Sequence, residues 1–217
     1  EEFAALLAIQ HYKFVPWTES FDKISYRRFF DITDLIGVCV EREDIYRKTH
    51  AKLFELAKRL KTVDVVRVDH IDGLADPDAY LDNLAQDFSK IWVEKILATD
   101  EDLPCRWQVE GTTGYEFVNF INRMMVDPQG FETLRRYWVQ KLEPRWDRFE
   151  DCVADSKEEA LQNLFASELK RLVKHSAGEG GDARLAEVFW KAMCVCLPVY
   201  RTYAGTIPMG EADRKWV

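Results

Sequence analysis

The sequence predicts an α/β chain whose strands run parallel, interrupted by a large, mostly helical insertion. Two observations carry that prediction. Helical and strand patterns alternate over residues 44–97, where "DIYRKTHAKLFELAKRLKT", "VDVVRVD", "DPDAYLDNLAQDF" and "KIWVEKIL" follow one another. Parallel strands need a crossover connection, usually a helix, so this alternation marks β/α architecture. From residue 115 to about 195 the pattern then stays helical, far longer than one crossover requires.

Each element has its own justification. Residues 1–10, "EEFAALLAIQ", read as a helix already under way at the first residue. "HYKFVPW" and "ISYRRFFDI" are short, aromatic and β-branched, and read as strand or extended segments. The helix over 44–62 has Ile45, Leu53, Leu56 and Leu60 at helical spacing. "VDVVRVD" (63–69) is a strand stopped by the turn pair Asp72-Gly73. The next helix opens at Asp76-Pro77, where a proline in the first turn loses no hydrogen bond. "KIWVEKIL" (90–97) reads as a second strand containing Glu94, and "PCRWQVEGTTGYEF" as a loop with a Gly-Thr-Thr-Gly turn. "YEFVNFINRMMV", "FETLRRYWVQKL", "KEEALQNLFASELKRLVKH" and "RLAEVFWKAMCVC" make up the helical stretch, punctuated by "AGEGGD" at 177–182. "LPVYRTY" (197–203) reads as a returning strand with Pro198 at its start. The expected organisation is β/α over 1–114, a helical insertion over 115–195, and a return to a strand over 196–217.

Composition narrows the function. A net charge of −8 and a pI near 5.2 argue against nucleic-acid binding, and a neutral, polar ligand suits the chain better. No apolar run is long enough to span a bilayer, and no secretory signal is visible, so no membrane role is expected. The five cysteines contain no C-x-x-C pair, which speaks against zinc and for a reducing cytoplasm. Most of the seven tryptophans and eight tyrosines belong in a core, although sugar clefts also use flat rings.

The chemistry gathers at the two strands. Arg67 and Asp69 are two apart, so a strand sends both to one face. Charges are rarely buried unless paired or working. In a (β/α)8, or TIM, barrel the functional residues lie at the C-terminal ends of strands, where Asp69 and Glu94 both fall. Two acids on adjacent strand ends suit glycosyl transfer, which needs an ionised nucleophile and a protonated acid/base. Arg67 would keep Asp69 anionic, and apolar neighbours of Glu94 would favour its protonated form. The same residues also fit a structural ion pair beside a solvated acid.

A resemblance favours the first reading. "RVDHIDGL" resembles the fourth-strand motif of the α-amylase superfamily, with its nucleophilic Asp, and "WVEKIL" is similar to the fifth-strand motif with its acid/base Glu. "YRRFFDITDL", "RVDHIDGLADPDAYL", "VEKIL", "GTTGYEF" and "LPVYRTY", in this order, resemble the maltooligosyl trehalose synthases across essentially the whole chain. Val65 and Glu116 depart from that family's usual Gly and Asp. Asp72 and Gly73 stand where a starch hydrolase usually carries Lys and His.

The resemblance implies a partial TIM barrel, about strands 4–6, and an enzyme of trehalose biosynthesis. The reaction would be an intramolecular transglucosylation, turning the reducing-end α-1,4 bond of a maltooligosaccharide into an α,α-1,1 bond with retention. Asp69 would be the nucleophile, Glu94 the acid/base and Arg67 the nucleophile's support, with no metal or other cofactor. His70, Lys95, Tyr115, Arg28, Phe30, Tyr200 and Arg201 are candidates for holding the sugar, each with a structural alternative. His11, His50 and His175 read as ordinary surface or core residues. The superfamily's third carboxylate and its earlier Asp and Asn-His motif are not found, so the chain is expected to need the rest of a parent polypeptide and to be inactive alone. A related α-glucan hydrolase or transglycosylase and a non-catalytic glucan-binding domain are the alternatives.

Overall fold

Along the chain the elements are α1 (Glu2–Ala8), a 3-10 turn (Trp17–Glu19), β1 (Arg28–Phe29), β2 (Ile32–Ile36), α2 (Glu43–Leu60), β3 (Val65–Val68), a 3-10 turn (Ile71–Gly73), α3 (Pro77–Leu84), β4 (Lys90–Val93), β5 (Gly111–Thr112), α4 (Tyr115–Met124), α5 (Pro128–Lys141), α6 (Phe149–Asn163), α7 (Ala166–Ala177), α8 (Ala183–Cys196) and α9 (Glu211–Arg214). They come from a computed structural model that describes residues 2–19, 23–60, 64–145, 147–178, 180–205 and 210–216. Val63, the first residue of the expected strand, lies outside the described residues, as do Lys61 and Thr62 at the end of the expected helix. The chain is α/β and divides into two units, one of residues 1–37 and 148–196, the other of 38–147 and 197–217.

The second unit holds the strands that matter here. β3, β4 and β5 form a parallel sheet in that order, with Val65 level with Lys90, Val68 with Val93, and Val93 with Thr112. β3, α3 and β4 make the strand–helix–strand unit that the periodicity predicts. Asp76 caps α3 by accepting from the Ala79 N–H (3.0 Å), with Pro77 in the first turn. Asp127 and Pro128 open α5 in the same way.

Alternation decides which face of the sheet is covered. Val68, Ile91 and Val93 join Tyr46, Ile71, Leu81, Leu84, Phe88 and Trp107 in a buried cluster, to which α2 adds Leu53, Phe54 and Ala57. Val65, Arg67 and Trp92 point the other way and are exposed. Arg67 is therefore not buried, contrary to what its place in an apolar run suggests: its side chain is 51% exposed. The valines beside it read as a strand covered on both faces, but only one of those faces meets helices within this unit.

In the first unit β1 and β2 form an antiparallel hairpin, with Phe29 opposite Ile32, while α6, α7 and α8 pack on one another. The Arg28 guanidinium donates to the carbonyls of Asp31 and Leu164 (both 2.8 Å) and lies 3.3 Å from Glu168. Those bonds tie the hairpin to the start of α7.

Four expectations need correcting. "HYKFVPW" forms bends and coil before its 3-10 turn, and no ladder. "LPVYRTY" is likewise no strand, because side chains and not a neighbouring strand satisfy its surroundings: the Tyr203 N–H donates to Asp213 (2.8 Å), and Arg201 donates to the carbonyls of Asp72 and Leu74. Strand propensity makes a strand only where an edge is available to pair with. β5 appears inside the segment read as loop, too short at two residues to leave a period-two signal. β4 also ends one residue before Glu94, which places that acid just beyond the strand.

Candidate active site

Register brings the two carboxylates together. β3 and β4 pair in parallel with Val68 opposite Val93, so the next residues, Asp69 and Glu94, leave adjacent strand ends side by side. The Glu94 N–H donates to the Val68 carbonyl (2.8 Å), continuing the ladder one step. Arg67 reaches both acids: Nη1 is 2.6 Å from Asp69 Oδ1, and Nη2 is 3.6 Å from Glu94 Oε1. Glu94 is the less exposed, at 24% against 67% for Asp69.

His70 supplies the next contact. Its backbone is left-handed (φ 47°, ψ 54°), uncommon for a residue with a Cβ. That twist follows the strand immediately and sends the His70 N–H to Glu94 Oε2 (2.9 Å). Non-glycine residues in such conformations concentrate at functional sites. Its imidazole packs over Gly73, where an added Cβ would fall 2.6 Å from His70 Nδ1, so a larger residue there would have to displace the ring. The Tyr115 hydroxyl, from the first residue of α4, lies 3.4 Å from Glu94 Oε1.

The Asp69 carboxyl is held below its ordinary value of 3.8, first by a hydrogen bond with Glu94 and then by Arg67. Arg67 lies nearer Asp69 than Glu94, and its charge favours the ionised form of Asp69. Around Glu94 the structure places a backbone N–H, a phenol and a guanidinium, a polar surrounding in contrast to the apolar one its sequence neighbours suggest. A cleft of about 470 Å³ adjoins on the open face of the sheet, lined by Val65, Val66, Arg67, Trp92, Thr112 and Thr113.

Of the sequence-predicted residues, Arg67, Asp69, Glu94, His70 and Tyr115 come together. Tyr200 joins through its hydroxyl, 3.3 Å from His70 Nε2. Lys95 does not: the alternation that turns Glu94 outward turns Lys95 into the core, where it pairs with Asp72 (3.2 Å) and Glu101 (2.8 Å). Arg201 holds the carbonyls of Asp72 and Leu74, which pins the turn after β3. Arg28 and Phe30 belong to the other unit, where Arg28 is only 4% exposed and Phe30 packs edge-on against Phe29. Trp92 was not anticipated as a cleft residue, although its place two before Glu94 on the strand carries that signal. Among the described residues no group of three or more His, Cys, Asp or Glu is arranged to hold a metal ion, and no helix is long and apolar enough to cross a membrane.

Two acids at neighbouring parallel strand ends, one held anionic by an arginine, form the kind of carboxyl pair that glycosyl transfer employs. The chain is homologous to a segment of the maltooligosyl trehalose synthases. It is 39% identical over 177 residues to a Mycobacterium tuberculosis protein provisionally named maltooligosyl trehalose synthase, an alignment covering 79% of this chain and 22% of that one. It superposes on the maltooligosyltrehalose synthase of Arthrobacter ramosus with a TM-score of 0.85 at 33% identity, covering 98% of this chain and 27% of that one. A glycosyltrehalose synthase from DSM5389 gives 0.80 at 32% identity, covering 99% and 28%. The chain thus spans about a fifth of the length of the curated relatives it matches. No family model matches the chain.

Proposed function

We propose that the complete protein carrying this chain isomerises maltooligosaccharides, converting the reducing-end α-1,4 bond into an α,α-1,1 bond with retention at the transferred carbon. β3, β4 and β5 are read as neighbouring strands, about the fourth to sixth, of a (β/α)8 barrel whose helical insertion follows residue 114. The observation that carries the reading is the Arg67–Asp69–Glu94 cluster at two parallel strand ends.

Asp69 attacks the anomeric carbon next to the terminal glucose, and the glycosidic C–O bond breaks as its oxygen takes the proton from Glu94. This leaves a glycosyl ester on Asp69 and a free glucose. The anomeric hydroxyl of that glucose then attacks the same carbon, returning its proton to Glu94 and releasing Asp69. Atoms balance without water, so isomerisation depends on retaining the glucose and excluding solvent. His70 and Tyr115, which contact Glu94, and Tyr200, which contacts His70, are read as the groups that meet sugar hydroxyls, a reading their proximity to Glu94 supports.

Incubating the complete protein with maltopentaose tests the reading. Reducing ends should disappear while the product keeps the substrate's mass. Shorter chains with additional reducing ends would mean hydrolysis and overturn it.

Arg67 gives a pH prediction. A carboxyl held low stays ionised as the pH falls, and activity is lost only when the pH passes through its folded value. Arg67→Met removes the second of the two main groups that hold Asp69 down. The acid limb of kcat/KM should move to higher pH, part of the way toward the ordinary aspartate range. An unmoved limb would mean that Asp69 does not titrate in catalysis.

A further inference from the structure

We infer that Lys95, together with Asp72, Glu101 and Tyr203, is a positioning network for Glu94, acting from behind the strand end without touching the sugar. The inference rests on the acid/base role proposed for Glu94.

The Lys95 side chain is fully buried, with its ammonium between Asp72 Oδ2 (3.2 Å) and Glu101 Oε1 (2.8 Å) and 5.4 Å from the centre of the Tyr203 ring. Each carboxylate has a second partner. The Tyr203 hydroxyl donates to Asp72 Oδ1, and Glu101 Oε2 accepts from the Ala98 N–H (2.9 Å). Burial and then the bond to Asp72 push the Tyr203 phenol well above its ordinary range, so it stays a donor.

Two routes lead from this network to Glu94. Lys95 is its chain neighbour, and anchoring Lys95 inward fixes the opposite direction for Glu94, while Glu101 closes the loop that follows. Asp72 sits in the Ile71–Gly73 turn, whose Gly73 N–H donates to the His70 carbonyl (2.9 Å). Holding Asp72 therefore holds His70 in the conformation that gives its N–H to Glu94. Stability alone does not account for the charges, because well-packed apolar residues in place of buried ion pairs are often as stable or more so. Three buried charges at the root of the reacting acid are better explained by the orientation they impose.

The test uses the complete protein with Lys95→Met, which keeps a long unbranched side chain but ends one atom short of the ammonium and removes the charge, and with Tyr203→Phe, which removes one hydroxyl. The readouts are kcat and KM on maltopentaose and the melting temperature, with Glu94→Gln in parallel. A kcat lower by about ten- to a hundredfold in Lys95→Met, with KM little changed and the enzyme folded at the assay temperature, supports positioning. A merely structural cluster would lower the melting temperature and leave kcat of the folded enzyme within twofold, and that result overturns the inference. If Lys95→Met does not fold, Tyr203→Phe decides by the same criterion, with a smaller loss expected. Turnover retained by Glu94→Gln would sink the acid/base reading itself. Turnover lost there but kept in both network variants would sink the inference alone.

Discussion

Replacing Asp69 with asparagine in the complete protein is expected to lower turnover on the order of 10⁴-fold or more, since the group proposed as the nucleophile is gone. An amide cannot form the glycosyl ester, and it leaves the Arg67 guanidinium facing a neutral group. Folding should be spared: Asp69 is largely exposed, and none of the buried cluster of its unit leans on it. The comparison is therefore between two folded proteins, followed as loss of reducing ends from maltopentaose. A variant keeping a tenth of the parent rate would remove Asp69 from the nucleophile's role. A maltosyl donor with a fluoride leaving group should not rescue this variant, because the missing step is the attack itself.

Glu94→Gln should cost about 10²- to 10⁴-fold, the usual range for losing a general acid/base. The glutamine carbonyl can still accept from the His70 N–H, so the local geometry persists and only the proton is lost. This separates the variant from Asp69→Asn. With the maltosyl fluoride the leaving group needs no proton, so the first step should recover, and a glycosyl adduct should be detectable on the intact protein by mass. Failure of the fluoride to restore any adduct, with sugar binding retained, would mean that Glu94 is not the proton donor.

Much of the site is legible in the sequence because it depends on local periodicity. Arg67 and Asp69 share a face since they are two apart across the end of a strand, and a strand–helix–strand pattern implies parallel neighbours whose C-terminal ends coincide. From these two rules alone Asp69 and Glu94 converge, and the register of β3 and β4 agrees. The caps of α3 and α5 are equally local, each set by an aspartate followed by proline. "LPVYRTY" shows where such rules stop. Its valine and tyrosines favour a strand, yet pairing needs an edge supplied by another part of the chain, and here Arg201 and Tyr203 are engaged through their side chains.

The sequence by itself therefore determined the β/α alternation, the helical stretch and the convergence of Arg67, Asp69 and Glu94, because each rests on neighbours a few residues apart. Only the tertiary structure decided what the remaining charged residues do. Lys95 reads as a sugar ligand until Asp72 and Glu101 are seen to enclose it. Arg28 reads as a cleft residue until its guanidinium is found on Leu164 and Glu168, more than 130 positions along the chain. A long cationic side chain carries no record in its own sequence of which distant carboxylate or carbonyl will meet it. Burial among such partners, which exists only once the chain has folded, separates a charge that holds the fold from one that faces a substrate.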